Sequence, residues 1–219
     1  MRWGAKLSAI AFAILLSIPP LLNATQSERK VPVSITYITP FKKEEKTVIV
    51  SENDVKTVGE MLRNAESSLK ILQVSEEKEE AMEIVEKLVN KLKELKLLPA
   101  NFPINRLLTN LFNPKLAIIL PIISFGSGFS WIPLYPGEAF IGFMFRPILM
   151  QYFLFGYTAT LNINFIPPRI EYWDMVGTHT MVVLGFVGIY IDFGKIGYGI
   201  PNLQFLFGEA LFVGGFDWL

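Results

Sequence analysis

One histidine, His179, stands between Thr178 and Thr180. Imidazole changes charge nearest to neutral pH, so it is the first candidate for a general base or a metal ligand. A second ligand is hard to find. The chain has no cysteine and no other histidine, so a zinc site would lack its usual donors. No carboxylate-rich loop with calcium spacing occurs either. A lone histidine at the start of an apolar segment is read more simply as structural. A second group of ionisable residues, Arg169, Glu171 and Asp174, crowds the segment PPRIEYWD. If that segment is extended, residues 169 and 171 share a face. An ion pair is the plain reading and an acid/base pair the sharper one. Ser127 and Ser130 lie in GSGFS without the glycine spacing of a nucleophile elbow. The run GKIGYG from Gly194 follows no strand–helix logic of a dinucleotide or phosphate loop. No catalytic, metal-binding or cofactor-binding residue is assigned, and no cofactor is expected. Arg146 and Asp192 each stand alone among apolar neighbours. Each is expected to find a counter-charge or to reach the surface, because an uncompensated buried charge is costly.

The elements that would position these residues divide the chain. Residues 26–114 carry 14 basic and 14 acidic side chains, whereas residues 115–219 carry 4 and 6. In the charged part, Val33, Ile35 and Tyr37 alternate with Ser34 and Thr36, and KTVIV (Lys46 to Val50) follows a polar stretch from Pro40 to Glu45. That pattern predicts a β-hairpin. Val55, Val58, Leu62, Ala65, Leu69 and Leu72 then recur at helical spacing. A second stripe, Ala81, Ile84, Val85, Leu88, Leu92 and Leu95, predicts a helix from about Glu76 to Leu97, ended by Pro99. The two helices are expected to pack on each other or on a neighbouring sheet.

The apolar part admits two architectures. Leu116 to Gly137 and Pro147 to Pro168 are each free of charge over 22 residues, and Met175 to Ile191 holds only His179. Hydropathy alone would make these membrane-spanning helices. However, Pro121, Gly126, Gly128, Pro133 and Pro136 break the first run. As a helix interior that run would cost roughly 8 kcal/mol, even with one proline excused. In the second run Tyr157, Ala159, Leu161, Ile163 and Phe165 alternate with Thr158, Thr160, Asn162 and Asn164. Nine residues at period two predict a strand with one face in and one face wet. Thr178 to Asp192 and Leu203 to Val213 read as strands apolar on both faces.

The expected fold class is therefore α+β. It comprises an N-terminal signal helix, a short β-hairpin and two amphipathic helices, then a C-terminal antiparallel curled sheet or small barrel of about six strands. The domain division is 1–24 as signal peptide or N-terminal membrane anchor, 25–113 as a charged hairpin and helical region, and 114–219 as an apolar, glycine- and aromatic-rich β domain. The first segment rests on Arg2 and Lys6 preceding the apolar run Leu7 to Ile18, followed by Pro19 and Pro20. A basic start with an apolar run of this length reads as a secretory signal. A retained anchor and a buried core helix are the other readings.

The helix ending in EIVEKLVNKLKELKLLP (Glu83 to Pro99) and the strand LGFVGIYIDFG (Leu184 to Gly194) loosely resemble secreted proteins of hyperthermophilic archaea. The resemblance covers about the last two-thirds of the chain and implies no activity. A composition rich in Lys and Glu leans the same way. Net charge is zero, which removes the electrostatic case for a nucleic-acid partner. The expected function is that of an exported, non-catalytic protein of the cell surface or extracellular space, with a structural or binding role. It would meet a membrane through its N-terminal segment at least transiently; a protein partner is not specified. The alternatives are a carrier of a lipid or other apolar ligand in a β-domain cavity, an integral membrane protein with helical spans in residues 116–191, and a hydrolase with no recognised motif.

Overall fold

The computed structural model describes residues 28–75, 78–102, 106, 109–111, 119–133, 135, 140–165, 168–195 and 201–218. The N-terminal segment 1–24 lies outside them. In chain order the elements are β1 (Lys30–Ile38), β2 (Lys43–Ser51), α1 (Glu52–Ser75), α2 (Lys78–Glu94), β3 (Leu120–Trp131), α3 (Phe140–Phe145), β4 (Ile148–Phe165), β5 (Pro168–Val176), β6 (His179–Leu184), β7 (Val187–Gly194), β8 (Asn202–Ala210) and β9 (Phe212–Asp217).

The charged hairpin forms as its alternation predicts. β1 pairs β2 antiparallel from Lys30 opposite Ser51 to Ile38 opposite Lys43. β2 begins earlier than the apolar pattern suggests, because Lys43 and Glu45 sit two apart on one face and pair at 2.8 Å. α1 starts where the Ser51 hydroxyl accepts the Asp54 N–H at 3.1 Å, which satisfies one orphan donor of the first turn. Val55, Val58, Leu62, Ala65 and Leu69 of α1 are buried, as are Ala81, Val85, Leu88 and Leu92 of α2. α2 does not run on to Pro99. Lys96 takes a left-handed conformation with φ 59. The Leu97 N–H then bonds the Leu92 carbonyl at 2.9 Å, and the Lys96 N–H bonds that of Lys93 at 2.9 Å. This pair of reversed bonds caps the helix three residues before the proline.

All nine strands belong to one antiparallel sheet in the order β2-β1-β7-β8-β3-β4-β6-β9, with β5 also paired to β4. The sheet does not close, so the barrel alternative is set aside. The hairpin joins the apolar strands directly, with Ile35 opposite Ile191. β4 is long enough to serve two partners on one side. It pairs β6 through Ile148–Gln151 and β5 through Tyr157–Phe165. Two segments read as single strands are split. Gly185 adopts φ 62 between β6 and β7, a conformation open to glycine. Leu211 breaks the second segment, its N–H bonding the Leu184 carbonyl at 3.0 Å. No helix among the described residues is long and apolar enough to cross a membrane, and most of the described part of 116–191 is strand.

The sheet has two cores. On one face α1 and α2 cover Val33, Ile35, Phe125, Tyr157, Ile191, Phe205 and Phe207. Fully burying each such aliphatic or aromatic side chain contributes about 1.5–3 kcal/mol. On the other face the sheet curls on itself around Ile38, Ile122, Met150, Tyr152, Met181, Tyr190 and Leu206. Glycines allow that curl. A Cβ on Gly128 would lie 1.9 Å from the Gln151 carbonyl oxygen, and one on Gly208 2.2 Å from that of Val187.

Candidate functional site

His179 lies in the curled core and is fully buried. Its Nδ1 lies 2.9 Å from the Gly177 carbonyl, and its Nε2 lies 2.8 Å from the Thr158 hydroxyl. A carbonyl can only accept, so Nδ1 carries the proton and Nε2 accepts from Thr158. The order then propagates. Thr158 Oγ1 is 2.8 Å from Ser124 Oγ, and that oxygen is 2.7 Å from the Tyr152 phenol. Having given its hydrogen to His179, Thr158 accepts from Ser124, and Ser124 accepts from Tyr152. The Tyr152 ring meets the imidazole edge-on at 4.9 Å. Burial lowers the His179 pKa, opposed by the Gly177 hydrogen bond and the Asp217 charge. Burial likewise raises the Tyr152 phenol above its ordinary range. Both groups are held neutral.

This chain of hydroxyls is what the alternation of β4 did not reveal. The period-two pattern predicts a wet face for Thr158 and Thr160, yet both are fully buried. The curl places other strands over them, and Thr160 bonds the Pro121 carbonyl at 2.9 Å. The only sequence signal is small hydroxyls, not Asn or Lys, at positions 158 and 160. A general base must reach the proton it removes. His179, Thr158, Ser124 and Tyr152 have no surface on which a substrate could rest, so the arrangement orders a core.

A second polar group sits between β3, β7 and β8. Ser130 meets the Tyr190 phenol at 2.7 Å. Gln204 Nε2 donates to the Gly128 carbonyl at 3.2 Å and to Ser130 at 3.3 Å. Gln204 Oε1 is buried without a hydrogen-bond partner among the described residues. Asp192 receives the Gly194 N–H at 2.8 Å and the Asn202 carboxamide at 2.9 Å, so neutral donors hold this carboxylate. Ser127 reaches the Pro201 carbonyl at 3.4 Å. Arg146 stacks over the Tyr135 ring at 4.7 Å and is half-buried, a cation on an aromatic face. In β5, Tyr172 donates to Asp174 at 3.2 Å and meets Tyr157 by its phenol. Burial raises both phenols. The Arg169 side chain lies outside the described residues. Among the described residues no three His, Cys, Asp or Glu side chains are grouped to hold a metal ion.

The remaining candidate is a surface. Beyond the helices, the ends of β3 and β4 with β6 and β9 turn a strip of the sheet outward. Trp131 stands opposite Leu149, which stands opposite Val182; Phe129, Gln151, Thr180 and Phe216 form the adjacent row. By alternation these side chains project on the face that α1 and α2 cover elsewhere. Phe129 and Phe153 meet edge-on at 5.5 Å, and Phe216 meets Trp218 at 5.1 Å. The Trp218 indole donates to Thr180 at 2.8 Å, which fixes its ring on the strip. Half or more of Trp131, Phe212, Phe216 and Trp218 is exposed. No protein-family model matches the chain, and no curated protein or solved structure matches it significantly.

Proposed function

We propose that this is an exported, non-catalytic protein that works through its surface at the outer face of a membrane, in a binding or structural role. One observation carries the reading. A strip of large aromatic side chains lies open to solvent while His179 and Tyr152 in the interior are sealed and neutral. Contiguous exposed apolar surface marks a docking face. The order of basic residues and apolar run in residues 2–18 supports export. The carrier alternative is less favoured by the interior. Large side chains fill that interior: Phe125, Tyr152, Tyr157, Phe186, Phe193 and Phe205 are all fully buried. Cell fractionation with N-terminal sequencing tests the reading. Recovery outside the cytosol is expected, with a new N-terminus near Ala24 or with the apolar segment retained in membranes. Recovery from the cytosol with the N-terminus starting at Met1 would overturn it.

A further inference from the structure

We infer that the bare aromatic end of the sheet seats in the interfacial layer of a lipid bilayer. The inference rests on the export reading and names the partner of that surface. The side chains suit the site: Trp131 and Trp218, 54% and 53% exposed, bring the amphipathic rings that concentrate at membrane–water boundaries. The short helix α3 adds an independent observation. Ile141 and Phe145, one turn apart, are 70% and 73% exposed, while Met144 packs into the curled core. The helix thus turns apolar side chains both inward and toward solvent, and Ile141 and Phe145 extend the exposed apolar surface beside the strip.

Topology places the start of β1, where the N-terminal segment joins, at the same end. Gly194 stands opposite Leu203, and Gly128 opposite Asn202, so the C-terminal end of β7 is level with the stretch of β3 leading to Trp131. β1 runs antiparallel to β7 with Ser34 opposite Asp192, which puts Lys30 at that end too. Eleven residues, 19 to 29, separate Ile18 from Lys30. At full extension they reach roughly 40 Å. An apolar segment seated in a bilayer would therefore hold this end of the sheet near the lipid, with the opposite end at Ile38 and Leu120 away from it. With 4 basic and 6 acidic residues in 115–219, contact is apolar and independent of anionic headgroups, unlike a polybasic patch.

The test uses the full chain carrying Trp3→Phe, mixed with phosphatidylcholine vesicles containing acyl-brominated lipid. The chain is expected to float with the vesicles and to show lipid-quenched tryptophan emission, unchanged between low and high salt. Adding Trp131→Phe and Trp218→Phe should remove at least half of that quenching, leaving Trp173 as the internal reference. Circular dichroism checks that this exposed aromatic exchange keeps the fold. Flotation with quenching unaltered by the double variant overturns the inference. So does iodide protection of these tryptophans that rises with protein concentration without vesicles, which would make the face an interface between copies of the chain. A chain exported in cells that fails to float sinks the lipid partner and leaves export standing. A cytosolic chain with its Met1 start that floats through Trp131 and Trp218 does the reverse.

Discussion

Two stretches of one sheet face receive opposite treatment. Over β1, β7, β8 and the middle of β3, the apolar side chains Ile35, Ile191, Phe205 and Phe125 lie under α1 and α2, out of water. Over the end of β3, β6 and β9, side chains of the same kind, Trp131, Phe212 and Phe216, lie bare. The covering helices carry the charge. Lys87 pairs Glu83 at 2.7 Å and Lys56 pairs Glu52 at 2.9 Å on their solvent sides. The difference teaches that hydropathy alone does not assign a role. Side chains of like apolar character stabilise the fold in one place and lie open to solvent in the other.

The sharpest break of this comparison is a pair of truncations. Phe205→Ala should cost about 3–5 kcal/mol, as core aromatics do, whereas Phe216→Ala should stay within about 0.5 kcal/mol. Urea unfolding of both variants measures the contrast, and similar losses would mean that the strip is covered in solution. Gly128→Ala should come next, at about 3 kcal/mol, because the new methyl meets backbone that cannot step aside. Thr158→Val is expected to cost about 1–3 kcal/mol by stranding the His179 Nε2 and Ser124 hydrogen bonds.

A pH series sharpens the picture of the sealed core. Burial lowers the native pKa of His179. The unfolded chain therefore takes up a proton near pH 6.5 that the native state resists, and stability is full above that pH. It falls as pH drops below about 6.5, by no more than about 1.4 kcal/mol per pH unit for one group. Urea midpoints at pH 7.5, 6.5 and 5.5 should show the decline, and His179→Gln should flatten it. An undiminished slope in that variant would place the titrating group elsewhere. The smallest effect expected is a gain. Lys96→Gly should stabilise by about 0.5–1 kcal/mol, since glycine adopts the left-handed cap without strain, read as a raised urea midpoint.

Local pattern made much of the fold legible. The 3–4 spacing in Val55 to Leu69 and the alternation in Tyr157 to Ile163 both appear as the helix and strand they imply, because each depends on neighbours in the chain. What alternation cannot carry is which faces meet. Thr158 and Thr160 read as wet, since period two marks a polar side without saying that a curl will close over it. The hydroxyl chain from Tyr152 to His179 joins positions 124, 152, 158 and 179, and nothing in their spacing links them. The split at Gly185 and Leu211 was hidden by uniformly apolar composition. The aromatic strip was invisible for the same reason, because buried and bare phenylalanines look alike in a sequence.

The antiparallel partnership of β1 with β7 sets a timetable. Ile35 waits for Ile191, 156 positions downstream, before its outer edge is paired. A chain emerging in order must keep its first hairpin half-finished until most of the polypeptide has followed. Closing so distant a pairing is slow, on the order of milliseconds to seconds for sheets dominated by remote contacts. The nascent molecule therefore stays uncommitted until most of its strands have been made.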